Sequence, residues 1–419
     1  MFTRRFIFWI AILALLFFNS GCASLAGTPT PAPTPTATST GVYACTDSIG
    51  CVTIAPSDPI HIAYLLVVSG DASSYGIEGR NGVEIAIDDT GGKILGHAIK
   101  FDGENGGCDS VISKAAGEKL ASDSTIVAVI GATCTNEDLA AEPLLSKAGF
   151  VTISPSDTEA DLTDPTNPNH YPGYFRTIYN YKVQSVAAAD YAYNILKITK
   201  AAIIQDNSEP YFVNMSQVFA DNFQKMGGTI TKQASIDAAG VWSALADIAT
   251  EKPDLIYFPI NPDAGALVIH EAKNTPGLEN AKLMSAEIMD SQEVMNAGGA
   301  DIEGFMVANK VIQGAAYDAF LAKYKTKFSI LPLSNINAYS YDAFNIIKAA
   351  VEKVAVKDAD GTLHIPRQAL RDAVTATANF NGLTGVLTCS ASGDCASPVV
   401  GIYVYHAGQY PPELIWPKK

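Results

Sequence analysis

The sequence predicts an α/β protein built from two doubly wound lobes, and three observations predict it. Short apolar runs alternate with helical patterns from Ile60 onward. The runs are nearly unbroken in apolar residues, as strands covered on both faces are. The alternation occurs as two series in a chain of 419 residues, a length that suits two ordinary domains.

The first series opens with the strand Ile60–Val68, and Gly76–Asp89 follows as a helix because Val83, Ala86 and Ile87 fall at i, i+3 and i+4. A strand at Ile126–Ile130, a helix at Asp138–Lys147 and a strand at Phe150–Ile153 continue it. The second series runs through a strand at Ala201–Gln205, a helix at Tyr211–Met226 and a strand at Thr229–Lys232. It goes on with a helix at Trp242–Thr250, a strand at Asp254–Ile260, a helix at Ala264–Asn274 and a strand at Lys282–Ser285. Such alternation implies parallel sheets with helices on both faces, and ligands bind beyond the carboxyl ends of their strands.

The N-terminus predicts export. Arg4 and Arg5 precede an apolar run from Phe6 to Phe18. That run is shorter than the roughly 20 residues of a membrane span and has the form of a secretion signal over residues 1–21. Ser20-Gly21-Cys22-Ala23 resembles the lipobox of bacterial lipoproteins, with Asn19 where that motif usually has Leu. The resemblance implies acylation at Cys22 and an anchor on the outer face of a bacterial cell membrane. Alternating Pro and Thr from Thr28 to Thr36 favour an extended spacer, so residues 22–57 are assigned to a tether ending in a Cys45–Cys51 clip.

Of seven cysteines, six remain if Cys22 carries lipid, an even number for an oxidising compartment. Cys45 with Cys51 and Cys389 with Cys395 share one C-x5-C spacing and look like local clips; Cys108 and Cys134 then pair across a longer loop. A metal site is the rival reading, but no spacing is C-x2-C and no His lies close in sequence. Neither a metal nor a cofactor is expected.

The net charge of −15 leaves no basic footprint for nucleic acid. G-x-S-x-G, H-E-x-x-H and the phosphate-binding G-x-x-x-x-G-K-[ST] are absent, and the six histidines are scattered, so no enzyme is expected.

Three loops after strands remain. Val129 to Asp138 leads into a helix, with Thr135 and Asp138 in a capping pattern and Asn136 between them. Unpaired N–H groups at such a start also suit an anion. Phe150 to Thr158 ends a strand in small polar groups, and Leu283 to Glu287 ends one in a lone carboxylate.

In this order, the three loops resemble the leucine/isoleucine/valine-binding proteins, a type I periplasmic binding protein family of bacterial ABC importers. The resemblance extends from about Ile60 to the C-terminus. It includes Ser69 to Gly76, the cysteines Cys108 and Cys134, Ile153-Ser154-Pro155, Ile203 to Asp206 with Tyr211 following, and Tyr341-Asp342-Ala343. It implies Rossmann-like lobes joined by a three-crossing hinge, lobe 1 as residues 58–178 plus 309–385 and lobe 2 as 179–308 plus 386–419. Thr135 and Thr158, with the backbone of Asp157, would bind a ligand carboxylate; Glu287 would hold its ammonium, and Tyr75 and Tyr211 would wall the pocket. The partners implied are a small amino acid, branched-chain or neutral, and the permease subunits of an importer. A different ligand on the same fold (an amide, urea or aromatic acid) and a sensory lipoprotein are the alternatives.

Overall fold

The computed structural model describes residues 43–208, 210–236, 240–396 and 399–417. The expected secretion signal, Cys22 and the Pro/Thr run lie outside the described residues. Among the described residues no helix is long and apolar enough to cross a membrane, and no group of three or more His, Cys, Asp or Glu is placed to hold a metal ion.

The chain begins with β1 (Cys51–Ile54) and β2 (Ile60–Leu66), followed by α1 (Ser73–Asp89), β3 (Lys93–Ile94) and β4 (His97–Asn105). Next come α2 (Ser110–Ser122), β5 (Ile126–Gly131), α3 (Thr135–Lys147), β6 (Val151–Ser154) and β7 (Tyr174–Arg176). Strands β2 to β7 form one sheet in the order β3-β4-β2-β5-β6-β7, parallel except for β3. Successive residues of β2 feed opposite cores. Ile60 and Ile62 pack with Val83 and Ala86 of α1, while Ala63 and Leu65 pack with Ala116 and Leu120 of α2 and Ala141 and Leu145 of α3. Burial on both faces explains the unbroken apolar run.

The second series is α4 (Tyr181–Asp190), β8 (Lys200–Asp206), α5 (Pro210–Lys225), β9 (Thr229–Ile236), α6 (Gly240–Ala249) and β10 (Leu255–Tyr257). It continues with α7 (Pro262–Ala272), β11 (Lys282–Ser285), α8 (Gln292–Gly298) and β12 (Met306–Lys310). The chain then returns to the first lobe as α9 (Ala315–Phe328), α10 (Ile336–Val354), β13 (Val356–Lys357), β14 (Leu363–Pro366), α11 (Arg367–Thr375), β15 (Phe380–Gly382) and β16 (Gly385–Leu387), with β13 and β14 in a small sheet with β1 and β15–β16 as a hairpin of its own. Helix α10 packs beside α1, so closely that a Cβ on Gly82 would stand 2.0 Å from the Asn337 carbonyl oxygen. Last, β17 (Val400–His406) and β18 (Gln409–Trp416) complete a second sheet of order β18-β17-β12-β11-β10-β8-β9, antiparallel only at its β12-β17-β18 edge.

The chain therefore passes between the sheets after Arg176, after Lys310 and between Leu387 and Val400. The last passage comes later than the Gly385-Val386 step expected from sequence. The reason is that the Cys395 N–H donates to the Arg176 carbonyl at 3.0 Å, which keeps the preceding loop on the first lobe. Residues 43–57, assigned to the spacer, are likewise part of the body. Strand β1 pairs with β14, and Val52 and Ile54 enter the first core. Disulfides join Cys45 to Cys51, Cys108 to Cys134 and Cys389 to Cys395.

Candidate ligand-binding cleft

The carboxyl ends of β5, β6 and β11 face a cleft of about 530 Å³ between the two sheets. Of the residues expected from sequence, Tyr75, Thr135, Asp157, Thr158, Tyr211 and Glu287 line it, and Asn136 does not. Asn136 sits in the first turn of α3, half-buried, off the cleft wall.

On the first wall the polar groups largely satisfy one another. The helix start lies one residue earlier than the Thr135 cap expected, with Cys134 as N-cap. Glu137, three residues on, accepts the N–H groups of Thr133 at 2.8 Å, Cys134 at 3.0 Å and Cys108 at 3.0 Å. Its carboxyl thus meets the N-cap N–H in a capping-box arrangement, together with one N–H from each of two adjoining loops. Burial pushes Glu137 up to about 7 against the pull of those bonds. The Thr135 hydroxyl, no longer capping, donates to Asp157 Oδ1 at 2.9 Å, and the Glu159 N–H donates to the same oxygen at 2.8 Å. Asp157 is 2% exposed, and its charge adds to burial in holding the neighbouring Asp138 carboxyl well above the usual range. Asp138 is further fixed by the Tyr174 hydroxyl at 3.0 Å.

The second wall is different. Ser285 ends β11 with its hydroxyl on the Phe258 carbonyl at 2.7 Å, which aims the next residues into the cleft. Glu287 opens a short 3-10 turn and accepts the Tyr211 hydroxyl at 3.0 Å through Oε1. Its Oε2 is buried and has no hydrogen-bond partner among the described residues. Burial pushes this carboxyl up to about 7. From the opposite lobe, the Tyr75 hydroxyl reaches the Ile288 carbonyl at 3.5 Å.

Sequence reasoning missed Asp290, Asn309 and Tyr339. The Asn309 amide, at the end of β12, donates to Asp290 Oδ2 at 2.8 Å and so ties the second passage between lobes to the cleft wall. Burial raises Asp290 to about 6. Tyr339 of α10 lines the cleft at 2% exposure, with no partner for its hydroxyl among the described residues. The placing of Asn309 at an expected crossing was the one signal available. Asp71, Asp263 and Glu293 join Asp157, Glu287 and Asp290 on the wall, whereas no described Lys, Arg or His lines it. The cleft therefore carries a negative field that favours a cationic group and opposes a free anion.

Comparison with known proteins is consistent with this geometry. The family described as "Periplasmic binding protein" matches residues 59–403. A Leu/Ile/Val-binding protein homolog 3 of Brucella melitensis is 25% identical over 371 residues, 86% of this chain and 95% of that protein. A leucine binding protein from Thermotoga maritima superposes with a TM-score of 0.74 at 21% identity, covering 85% of this chain and 97% of that one. A solute binding protein of an ABC transporter from R. palustris, in complex with benzoate, superposes with a TM-score of 0.71 at 21% identity, covering 85% and 95%. With two mostly parallel sheets arranged as in type I periplasmic binding proteins and a family match over most of its length, this chain belongs to the periplasmic binding protein family and is a binding protein, not an enzyme.

Proposed function

We propose that the protein captures a small amino acid, branched-chain or otherwise neutral, between its lobes and delivers it to the permease of an ABC importer. In this reading it is an exported lipoprotein, acylated at Cys22 and held at the outer face of the cell membrane. The observation that carries the reading is Glu287 Oε2, a buried carboxylate oxygen on the cleft wall without a partner. An unpaired buried carboxylate is costly, and a ligand ammonium would relieve that cost with a charge-assisted hydrogen bond. Ile178, Phe212, Ile288 and Ile336, lining the same cleft, suit an apolar side chain. The volume falls in the range of small-ligand sites. Thr158, and Thr135 once its hydroxyl turns from Asp157, would meet the ligand carboxylate from the first lobe, so the ligand would bridge both walls and stabilise closure about the three passages.

The benzoate complex from R. palustris raises a second reading, an aromatic acid. The acidic lining disfavours it, because a ligand with only a negative charge finds no described Lys, Arg or His there. A thermal-shift panel tests the choice. A ligand that binds only the native state stabilises it by about 2.7 kcal/mol at a hundredfold excess over Kd. Neutral amino acids should raise the Tm while sugars, nucleosides and benzoate leave it unchanged. A response to sugars or benzoate alone would overturn the proposal.

A further inference from the structure

Arg176 is the largest fully buried charged side chain, at 0% exposure, and it stands where the chain first leaves the first sheet. Its guanidinium is spent on two sets of partners. One set is the loop that lines the cleft: Nη1 donates to the carbonyls of Asp157 at 3.3 Å and Glu159 at 2.5 Å, and Nη2 donates to the Thr163 hydroxyl. The other is a single carboxylate, Asp394, which accepts Nε. Burial works most strongly against the charge on Arg176, and Asp394, Tyr174 and Asp157 together outweigh it.

Asp394 belongs to the loop closed by Cys389 and Cys395, six residues apart. That loop lies along the edge of the sheet at β7. The Arg176 N–H donates to the Gly393 carbonyl at 2.9 Å, and the Cys395 N–H donates to the Arg176 carbonyl at 3.0 Å. Gly393 has φ +104°, and a Cβ there would stand 2.3 Å from the Tyr174 carbonyl oxygen, so the approach depends on glycine. The second oxygen of Asp394 accepts the Asn180 amide at 3.2 Å, immediately ahead of α4. The Tyr181 N–H, at the start of that helix, donates to the Thr158 carbonyl at 2.9 Å. The disulfide loop, the first passage between lobes and the cleft loop 157–163 thus meet at one ion pair.

We propose that Asp394, presented by the Cys389–Cys395 loop, is a positioning residue for the ligand site: by neutralising Arg176 it fixes the carbonyls that hold Asp157 and Thr158 on the cleft wall. The disulfide matters because it restricts the loop to the conformation that delivers the carboxylate. Reduction of this one disulfide would loosen the wall some distance from any ligand. The effect on affinity rests on the proposed amino-acid reading; the effect on the loop does not.

Two variants and two readouts test it. In Asp394→Asn and in Cys389→Ser/Cys395→Ser, amide hydrogen exchange of the unliganded protein should rise at least about tenfold across residues 157–163, with the amides of β10 unchanged. Asp394→Glu should restore most of the protection. With L-leucine as probe, calorimetric titration should show affinity reduced by roughly tenfold or more in both damaged variants. If leucine binds none of the proteins, the amino-acid reading fails and hydrogen exchange still decides the role of Asp394. Unchanged exchange at 157–163, or an equal rise across both lobes, would overturn the proposal.

Discussion

The two walls of the cleft come from lobes of similar build but meet their polar groups differently. On the first wall, Glu137 accepts three N–H groups and the Thr135 hydroxyl is committed to Asp157. Asp157 keeps one buried oxygen without a hydrogen-bond partner among the described residues, beside an Asp138 carboxyl whose pKa burial and the Asp157 charge raise well above the usual range. On the second wall, Glu287 receives one hydroxyl, and its other oxygen is buried without a partner among the described residues. The difference teaches that a preorganised wall and an unsatisfied one divide the work. In the proposed reading the first mainly fixes shape, while the second carries an electrostatic cost that a ligand ammonium would relieve.

The comparison breaks most sharply at Glu287. Glu287→Gln keeps the shape and removes the charge, and charge-assisted hydrogen bonds are worth roughly 1.5–3 kcal/mol. Affinity for an amino acid should fall about 10- to 150-fold in calorimetric titration, with the unliganded Tm near that of the wild type. A loss under about twofold would remove Glu287 from the site.

Acidity should act next. With Glu287 held at about 7 in the empty cleft, a ligand ammonium must displace a proton at lower pH. Affinity should therefore rise with pH from 6 to 8, by up to about tenfold per unit on the acid side of that range, with proton release seen in buffers of different ionisation enthalpy. The unliganded protein should respond in the opposite sense. Glu78, Glu137 and Glu287 all stand near 7, above the usual 4.5, because of burial. The native state then binds more protons than the unfolded one between those values, so stability falls as pH rises through that window. A higher unliganded Tm at pH 8 than at pH 5.5 contradicts this account.

The smallest effect belongs to Tyr211→Phe, which deletes the one hydrogen bond that Glu287 receives from a side-chain hydroxyl. A neutral partner of this kind contributes about 0.5–1.5 kcal/mol, so affinity should fall roughly two- to tenfold. An equal or larger loss than in Glu287→Gln would mean that the aromatic wall, and not the carboxylate, dominates recognition.

How much of this was legible in the sequence follows from burial. Strands β2 and β5 announce themselves because both faces are covered. Strand β4 does not, since His97–Asn105 mixes exposed and buried residues and shows no unbroken apolar run. The Thr135–Asp138 pattern pointed to the right helix start but one residue late, because Glu137 rather than Asp138 reaches back to the N-cap, accepting the Cys134 N–H. Glu287 looked like any loop carboxylate, and only its resemblance to a family pattern singled it out. Arg176 was silent: its partners lie 13 to 218 positions away, beyond the reach of any local pattern.

One feature of the fold bears on how the body is held. Tyr43 donates its N–H to both oxygens of Asp358 at 3.3 Å, and Asp47 accepts the N–H groups of Gln368 and Ala369 at the start of α11. Strand β1 then joins β14 within the first core. Any pull on the chain ahead of residue 43 is thus delivered to the first lobe alone. If the chain ahead of residue 43 tethers the protein as proposed, the first lobe would be the fixed half and the second lobe the one that closes on the ligand.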